Sequence, residues 1–235
     1  MPGDARPLYA VLIDADNIAA KHAQAILKEI TKFGEPALRR VYGDWSKGAL
    51  ANWGQAVRDL GLVAHHEAAN TTGKNASDIG LVIDAMDILH SGRFQGFVIV
   101  SSDSDFTALA NRIREQGLEV IGMGEKKTPE SLKSVCNRFI LIENIVAGDN
   151  EDEADQPHPR ENPTKTIPLI RRAMEKLDQD DGWTAASALG SMILRDNSDF
   201  DARTYGFKKL GELLKALKEV QTKQVGTQLY ARLKD

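Results

Sequence analysis

The chain has 235 residues, 42% of them hydrophobic and 27% charged, proportions that suit a globular protein with a real core and exclude a disordered or fibrous chain. No apolar run is long enough to span a membrane, Met1 to Pro7 lacks a secretory signal, and a single cysteine, Cys136, excludes an intrachain disulfide framework or a multi-thiolate zinc site, so a cytoplasmic protein without membrane attachment is expected. The net charge of −4, from 30 basic and 34 acidic residues, speaks against a nucleic-acid partner when taken whole.

Residues 1–146 alternate short β-branched runs with helix-period segments, the pattern of a parallel α/β sheet with helices on both faces. Predicted strands are Tyr9 to Ile13, Leu38 to Tyr42, Leu62 to His66, Gly96 to Ser101, Leu118 to Met123 and Phe139 to Ile142. The first helix carries Ala19, Ala23, Ile26, Ile30 and Phe33 at helical spacing, with Gly34 expected as its C-cap. Leu50, Trp53, Val57 and Leu60 mark a second helix, and Phe106, Leu109 and Ile113 a fourth. Between them a helix from about Ser77 to His90 is expected to bury Ile79, Val82, Ile83, Met86 and Leu89.

Residues 147–163 hold six acids, one arginine, three prolines and almost nothing apolar, the composition of an acidic flexible linker. Split there, the first part carries −2, the linker −5 and residues 164–235 +3, so the acidic average conceals a mildly basic C-terminal part. In that part Ile167, Ile170, Met174 and Leu177 predict one helix, Leu189, Met192 and Ile193 a second, and Phe207, Leu210, Leu214 and Leu217 a third. Val220 to Lys223 and Gln228 to Leu233 then predict a closing hairpin, which makes the whole a small winged helix.

Parallel α/β sheets form their sites beyond the carboxyl ends of the strands, where strand order reverses. The first predicted strand runs into Asp14-Ala15-Asp16-Asn17 and the fourth into Ser102-Asp103-Ser104-Asp105. With those strands as neighbours, Asp14 and Asp103 would face each other, and two close carboxylates call for a hard divalent cation with oxygen ligands. The plain alternative is helix capping, since Asn17 or Asp103 can satisfy an orphan N–H. A cap needs one acceptor, however, and each turn offers two carboxylates.

A third acidic group, Asp78, Asp84 and Asp87, follows the polar loop around Lys74 and Asn75. Asp78 falls in the first turn of its helix, where the dipole alone would favour it, and Asn75 with Asp78 resembles a capping box. Asp84 lies six positions on, about 120° around an ideal helix, so Asp78 and Asp84 cannot point the same way. Lys74 is a candidate phosphate-facing cation, with plain solvation as the alternative.

The motifs LIDADNI, GKNASDIGLVIDAMD, VIVSSDSDF and GLEVIGMG, in that order, resemble the NYN branch of the PIN-like nucleases, including the LabA-like or DUF88 group, across about Leu8 to Val146. The resemblance implies a metal-dependent ribonuclease using Mg²⁺ or Mn²⁺. It carries the first metal-binding carboxylate onto Asp14, the second onto Asp78 and the third onto Asp103. Asp105 is implied as a fourth acid, Asn17 as a polar companion and Asp84 as a weaker second acid of the same helix. Ser102 stands where a glycine is common and offers a hydroxyl to phosphate.

DGWTAASALGSMILRDNSDF and ARTYGFKKLGELLKAL, followed by the hairpin, resemble the LOTUS or OST-HTH domain, which implies RNA binding and, in some members, protein partners. Lys208, Lys209, Lys215, Lys218, Lys223 and Arg232 are its cations, and Glu212 and Glu219 interleave with them as on a solvated helix face. Trp183 and Tyr205 either stack on bases or lie buried. The expected domains are therefore 1–146, a nuclease; 147–163, a linker; and 164–235, a winged helix. Two rival functions share the acids: a catalytically silent RNA-binding adaptor, and a haloacid-dehalogenase-like phosphatase with Asp14 as nucleophile.

Overall fold

The computed structural model describes residues 6–45, 51–66, 76–149, 161–177 and 182–234. They form two compact units, Met1–Glu151 and Asp152–Asp235.

The first unit is built on six parallel strands: β1 (Leu8–Asp14), β2 (Glu35–Gly43), β3 (Val63–His66), β4 (Gly96–Val100), β5 (Glu119–Gly124) and β6 (Arg138–Leu141). Their spatial order is β3-β2-β1-β4-β5-β6, so the chain works outward on one side of β1, then crosses back to begin the other side at β4. Tyr9 to Ile13 pair residue by residue with Gly96 to Val100, and this β1–β4 seam is where strand order reverses. Both seam strands are almost wholly apolar because both of their faces are covered.

Period-two alternation divides the core between the two faces. Tyr9, Val11 and Ile13 of β1 pack with Val98 and Val100 beneath α1 (Ala23–Ile30), α2 (Ala51–Leu60) and α6 (Ile142–Asp149). Ala10 and Leu12 pack with Phe97 and Ile99 beneath α3 (Ala76–His90), α4 (Thr107–Glu115) and α5 (Glu130–Val135). Asp14 and Ser101 continue this second series, which aims both toward the α3 side at the carboxyl end of the seam.

Three local expectations are corrected. Helix α3 buries Leu81, Ala85, Ile88 and Leu89, while Ile79 and Ile83 are each 59% exposed. The helix is apolar nearly all round, so its pattern leaves the orientation undecided. Gly34 does not cap α1, whose C-cap is Thr31. It is needed because a Cβ there would stand 2.6 Å from the Tyr9 ring and closer still to the Pro7 carbonyl. Helix α6 continues to Asp149, three residues into the segment read as linker. Leu50, predicted on α2, lies outside the described residues.

The second unit opens with a 3-10 turn (Pro163–Thr166), then α7 (Ile167–Leu177), β7 (Thr184–Ala185), α8 (Ala186–Asp196), a 3-10 turn (Ala202–Tyr205), α9 (Leu210–Ala216), β8 (Val220–Val225) and β9 (Gln228–Leu233). The antiparallel order is β7-β9-β8. Ile170, Ala173, Leu189, Ile193, Leu213, Leu214, Leu217 and Ala231 share one core. Three helices against a small sheet with a hairpin are the predicted winged helix.

Candidate functional site

β1 ends at Asp14 and the chain turns at once, the Asp14 carbonyl accepting from the Ile18 N–H at 3.0 Å. The Asp14 carboxylate is 3% exposed. Its Oδ1 accepts from the backbone N–H groups of Asp16 (3.1 Å) and Asn17 (3.2 Å), and its Oδ2 accepts from the Ser101 hydroxyl at 2.8 Å. Burial nevertheless pushes the Asp14 pKa up to about 6. The Ser101 and Asn17 hydrogen bonds pull it down, and the charges of Asp78 and Asp16 push it further up.

The turn after β4 is locked to the turn after β1. Ser101 donates to Asp14 and accepts from the Asp103 N–H at 3.0 Å, while the Ser102 N–H donates to Asn17 Oδ1 at 3.1 Å. Asp103 then caps the 3-10 turn Ser104–Phe106, with Oδ1 accepting from the Asp105 N–H at 2.9 Å. Capping is thus real at Asp103 but not at the β1 turn, where Asn17 caps no helix. The Asp14 Oδ1 bonds hold only the turn itself, and the N-cap Ala19 of the following 3-10 helix makes no side-chain bond. Capping does not account for the gathering of further acids around the two turns.

Asp78, in the first turn of α3, is drawn into the same field. Burial raises its pKa, and the charges of Asp103, Asp16 and Asp105 raise it further. Asp78 is therefore within electrostatic reach of Asp14 as well as of Asp16, Asp103 and Asp105, and so links the acids of the two turns. Asp16 Oδ2 accepts from the Ser77 hydroxyl at 3.0 Å, which ties the start of α3 to the β1 turn. Among the described residues, no three Asp, Glu, His or Cys side chains already stand as a ready-made metal cage.

Asp84 belongs elsewhere. It pairs with the Arg40 guanidinium and accepts from the Tyr42 hydroxyl, both on β2. Its desolvation is outweighed by those hydrogen bonds and by the charges of Arg40 and His65, so its pKa lies below the ordinary carboxylate value. The expected divergence of Asp78 and Asp84 on one helix is what the structure shows.

Ser102 is buried, and its Oγ accepts from the Glu125 N–H at 2.8 Å. Asn17 likewise spends its Oδ1 on the Ser102 backbone. Both brace the loops of the site. Lys74 lies outside the described residues. In the second unit Lys208 and Lys209 are exposed at the start of α9, and the Lys208 N–H donates to Glu212 Oε2 at 3.0 Å. Tyr205 is half-buried with its ring 6.2 Å from that of Phe200, the packing role of the two anticipated for it. Cys136 is buried, and burial pushes its thiol up to about 12, which removes it as a nucleophile.

Two residues escaped the sequence reading. Ser101 is fully buried and joins both acidic turns. Its signal was the alternation that places it in series with Phe97 and Ile99. Asp44, just beyond β2, is 7% exposed, and its N–H donates to Asp16 Oδ2 at 3.4 Å. The rule that an acid after a strand end merits notice applied to it as well.

The NYN domain family matches residues 9–143, and the OST-HTH/LOTUS domain matches residues 159–230. A search of curated proteins finds no significant match. Among solved structures the chain is similar to VPA0982, a protein of unknown function from Vibrio parahaemolyticus RIMD 2210633. The identity is 20%, the TM-score 0.51, and the match covers 60% of this chain and 96% of that one. That likeness is one of fold.

Proposed function

The chain belongs to the NYN family and carries an OST-HTH/LOTUS domain after it, and from that premise we propose that it is a metal-dependent ribonuclease whose C-terminal domain holds RNA. The observation that carries the reading is the buried Asp14 carboxylate, its pKa pushed up to about 6, beside Asp78 and Asp16 at the strand-order switch. A protein with no use for a cation would not gather like charges there, because their repulsion lowers its own stability.

The donors fit a hard divalent ion: carboxylate oxygens only, without thiolate or imidazole. Asp14, Asp78 and Asp103 would hold Mg²⁺ or Mn²⁺, with Asp105 at its margin. Such an ion supplies a more acidic bound water and neutralises charge on the phosphate oxygens. The protein's part is placement. Ser101 fixes Asp14 relative to the Asp103 turn, Asn17 and Ser102 hold the two loops in register, and the Ser77–Asp16 hydrogen bond keeps the start of α3 at the edge. Lys74 is proposed as a phosphate contact by its position before α3, and Lys208 and Lys209 as exposed cations for RNA on the C-terminal domain. Joining both units in one chain raises the effective concentration of RNA at the acidic edge. Protein partners of the C-terminal domain and a cytoplasmic setting complete the proposal; among the described residues no helix is long and apolar enough to cross a membrane.

The full chain is expected to cut single-stranded RNA with Mn²⁺ or Mg²⁺ and to stop with EDTA. Asp103→Asn should lower the rate by about a hundredfold or more while keeping the wild-type circular dichroism. Undiminished cleavage by that variant sinks the site assignment. The second reading is a catalytically silent RNA-binding adaptor that keeps the acidic pocket. Tight metal binding without turnover would establish it. The NYN match lends no support to the phosphatase, whose mark would be an aspartyl-phosphate trapped on Asp14.

A further inference from the structure

The outer face of the C-terminal sheet brings together residues that are far apart in sequence. Thr184 pairs with Ala231 in the β7–β9 ladder, so Trp183, one position before β7, falls beside Arg232. Across the hairpin, Gln221 pairs with Arg232 and Lys223 with Tyr230. Val220 and Ala231 point into the core, and alternation therefore turns Gln221, Lys223, Tyr230 and Arg232 outward.

The Lys223 ammonium stands 4.1 Å from the Trp183 ring centroid and 5.8 Å from that of Tyr230, and the Arg232 guanidinium stands 4.8 Å from Trp183. Arg232 also donates to Gln221 Oε1 at 2.7 Å, and the Tyr230 hydroxyl donates to Gln228 Oε1 at 2.9 Å. Gly182 permits the turn that leads into Trp183: its φ is +70°, a conformation that residues with a Cβ rarely adopt.

Cation–π contacts tighten a hairpin, and one cation on the indole would suffice for that. Here two like charges share one ring, and residues 220–234 contain three cations and no acid in a chain with 34 acids. Their mutual repulsion is relieved by an anion, and the aromatic rings between them offer π-surfaces to a flat partner. Phosphate and base alternate in that way along a single strand, whereas a duplex keeps its base faces covered.

We propose that this face binds single-stranded RNA: Lys223 and Arg232 take phosphates, Trp183 and Tyr230 take stacked bases, and Gln221 and Gln228 meet base edges. A base either stacks on the Arg232 guanidinium or displaces the Lys223 ammonium from the indole and frees it for phosphate. The assignment rests on the reading of the C-terminal domain as an RNA-binding module and names the strand type and the residues that meet it.

The test uses the full chain in EDTA and a fluorescein-labelled oligouridylate of about twelve nucleotides, a length within the range such surfaces cover, with anisotropy followed against salt. The double variant Lys223→Gln, Arg232→Gln should bind about tenfold more weakly and lose about 1.4 from its log–log salt slope, two phosphates' worth for a single strand. Trp183→Ala should weaken binding by about tenfold while Trp183→Phe, which keeps a stacking ring, recovers most of it. A thermal melt of each variant separates lost binding from lost folding. Wild-type binding that neither the double variant nor Trp183→Ala alters overturns the wing-face assignment and leaves the RNA reading standing. So does tighter binding of the matching duplex. A wild-type chain that binds no RNA overturns both.

Discussion

The two units handle charge in opposite ways. At the carboxyl edge of the β1–β4 seam, acids crowd together, with Asp14 fully buried and the pKa values of Asp14 and Asp78 both raised. On the outer face of β8 and β9, cations crowd together around Trp183 in a stretch free of acids. The first arrangement costs stability, because buried like charges repel with little screening. The second is softened by the aromatic rings and costs little. The difference teaches that like-charge clustering marks a ligand most strongly where burial removes water's screening, and only in combination with shape where it does not.

The comparison can be broken most directly at Asp14. Asp14→Asn should lower metal-dependent cleavage by about a thousandfold, measured on a labelled RNA at saturating Mn²⁺. The same change should stabilise the metal-free protein at pH 7 by on the order of 2 kcal/mol, because it removes a buried, repelled charge. A variant less stable than wild type in EDTA would contradict the repulsion argument.

The pH dependence sharpens the point. Folded Asp14 keeps its proton up to about pH 6, whereas the unfolded carboxyl releases it near its ordinary value of 3.8. Between those values the folded state holds more protons, so this carboxyl makes stability fall as pH rises. Urea melts in EDTA at several pH values should show that fall in wild type, and the slope should shrink in Asp14→Asn.

A smaller effect is expected at Asp84, on the same helix as Asp78 and with the opposite shift. Its depressed pKa means that it stabilises the fold above the ordinary carboxylate range and that this support is lost as pH falls below it. Asp84→Asn should cost about 1–2 kcal/mol, discounted for partial exposure, and leave cleavage within a few-fold. A loss of cleavage as large as that of Asp103→Asn would place Asp84 in the site itself. Smallest of all, Lys223→Gln should lower the stability of the C-terminal unit by about 0.5–1 kcal/mol, the reverse sign to Asp14→Asn.

The sequence made the strands of the sheet legible because buried parallel strands leave continuous apolar runs, and it placed Asp14 and Asp103 at strand ends because the turns follow at once. It could not orient α3. Ile79, Leu81, Ile83 and Ile88 are equally apolar, and only the packing on Phe97 and Ile99 decides that Leu81 and Ile88 go inward. Ser101 was invisible as a link because its partners Asp14 and Asp103 meet through a strand pairing that no local pattern encodes. On the C-terminal side Trp183, Lys223 and Arg232 could each be named, but not joined, since only the β7-β9-β8 order makes them neighbours.

Helix α3 is held to the sheet at more than one point along its length. It is pinned to β2 through Asp84, Arg40 and Tyr42, and it carries Asp78 about 9 Å further along its axis, six residues at the rise of an α-helix. Nearer Asp78, Leu81 is buried against the sheet, and the Ser77 hydroxyl donates to Asp16 Oδ2 of the β1 turn. The placement of Asp78 beside the other acids thus rests in part on an ion pair outside their cluster, and a loosened pin would shift Asp78 before it unfolded the protein.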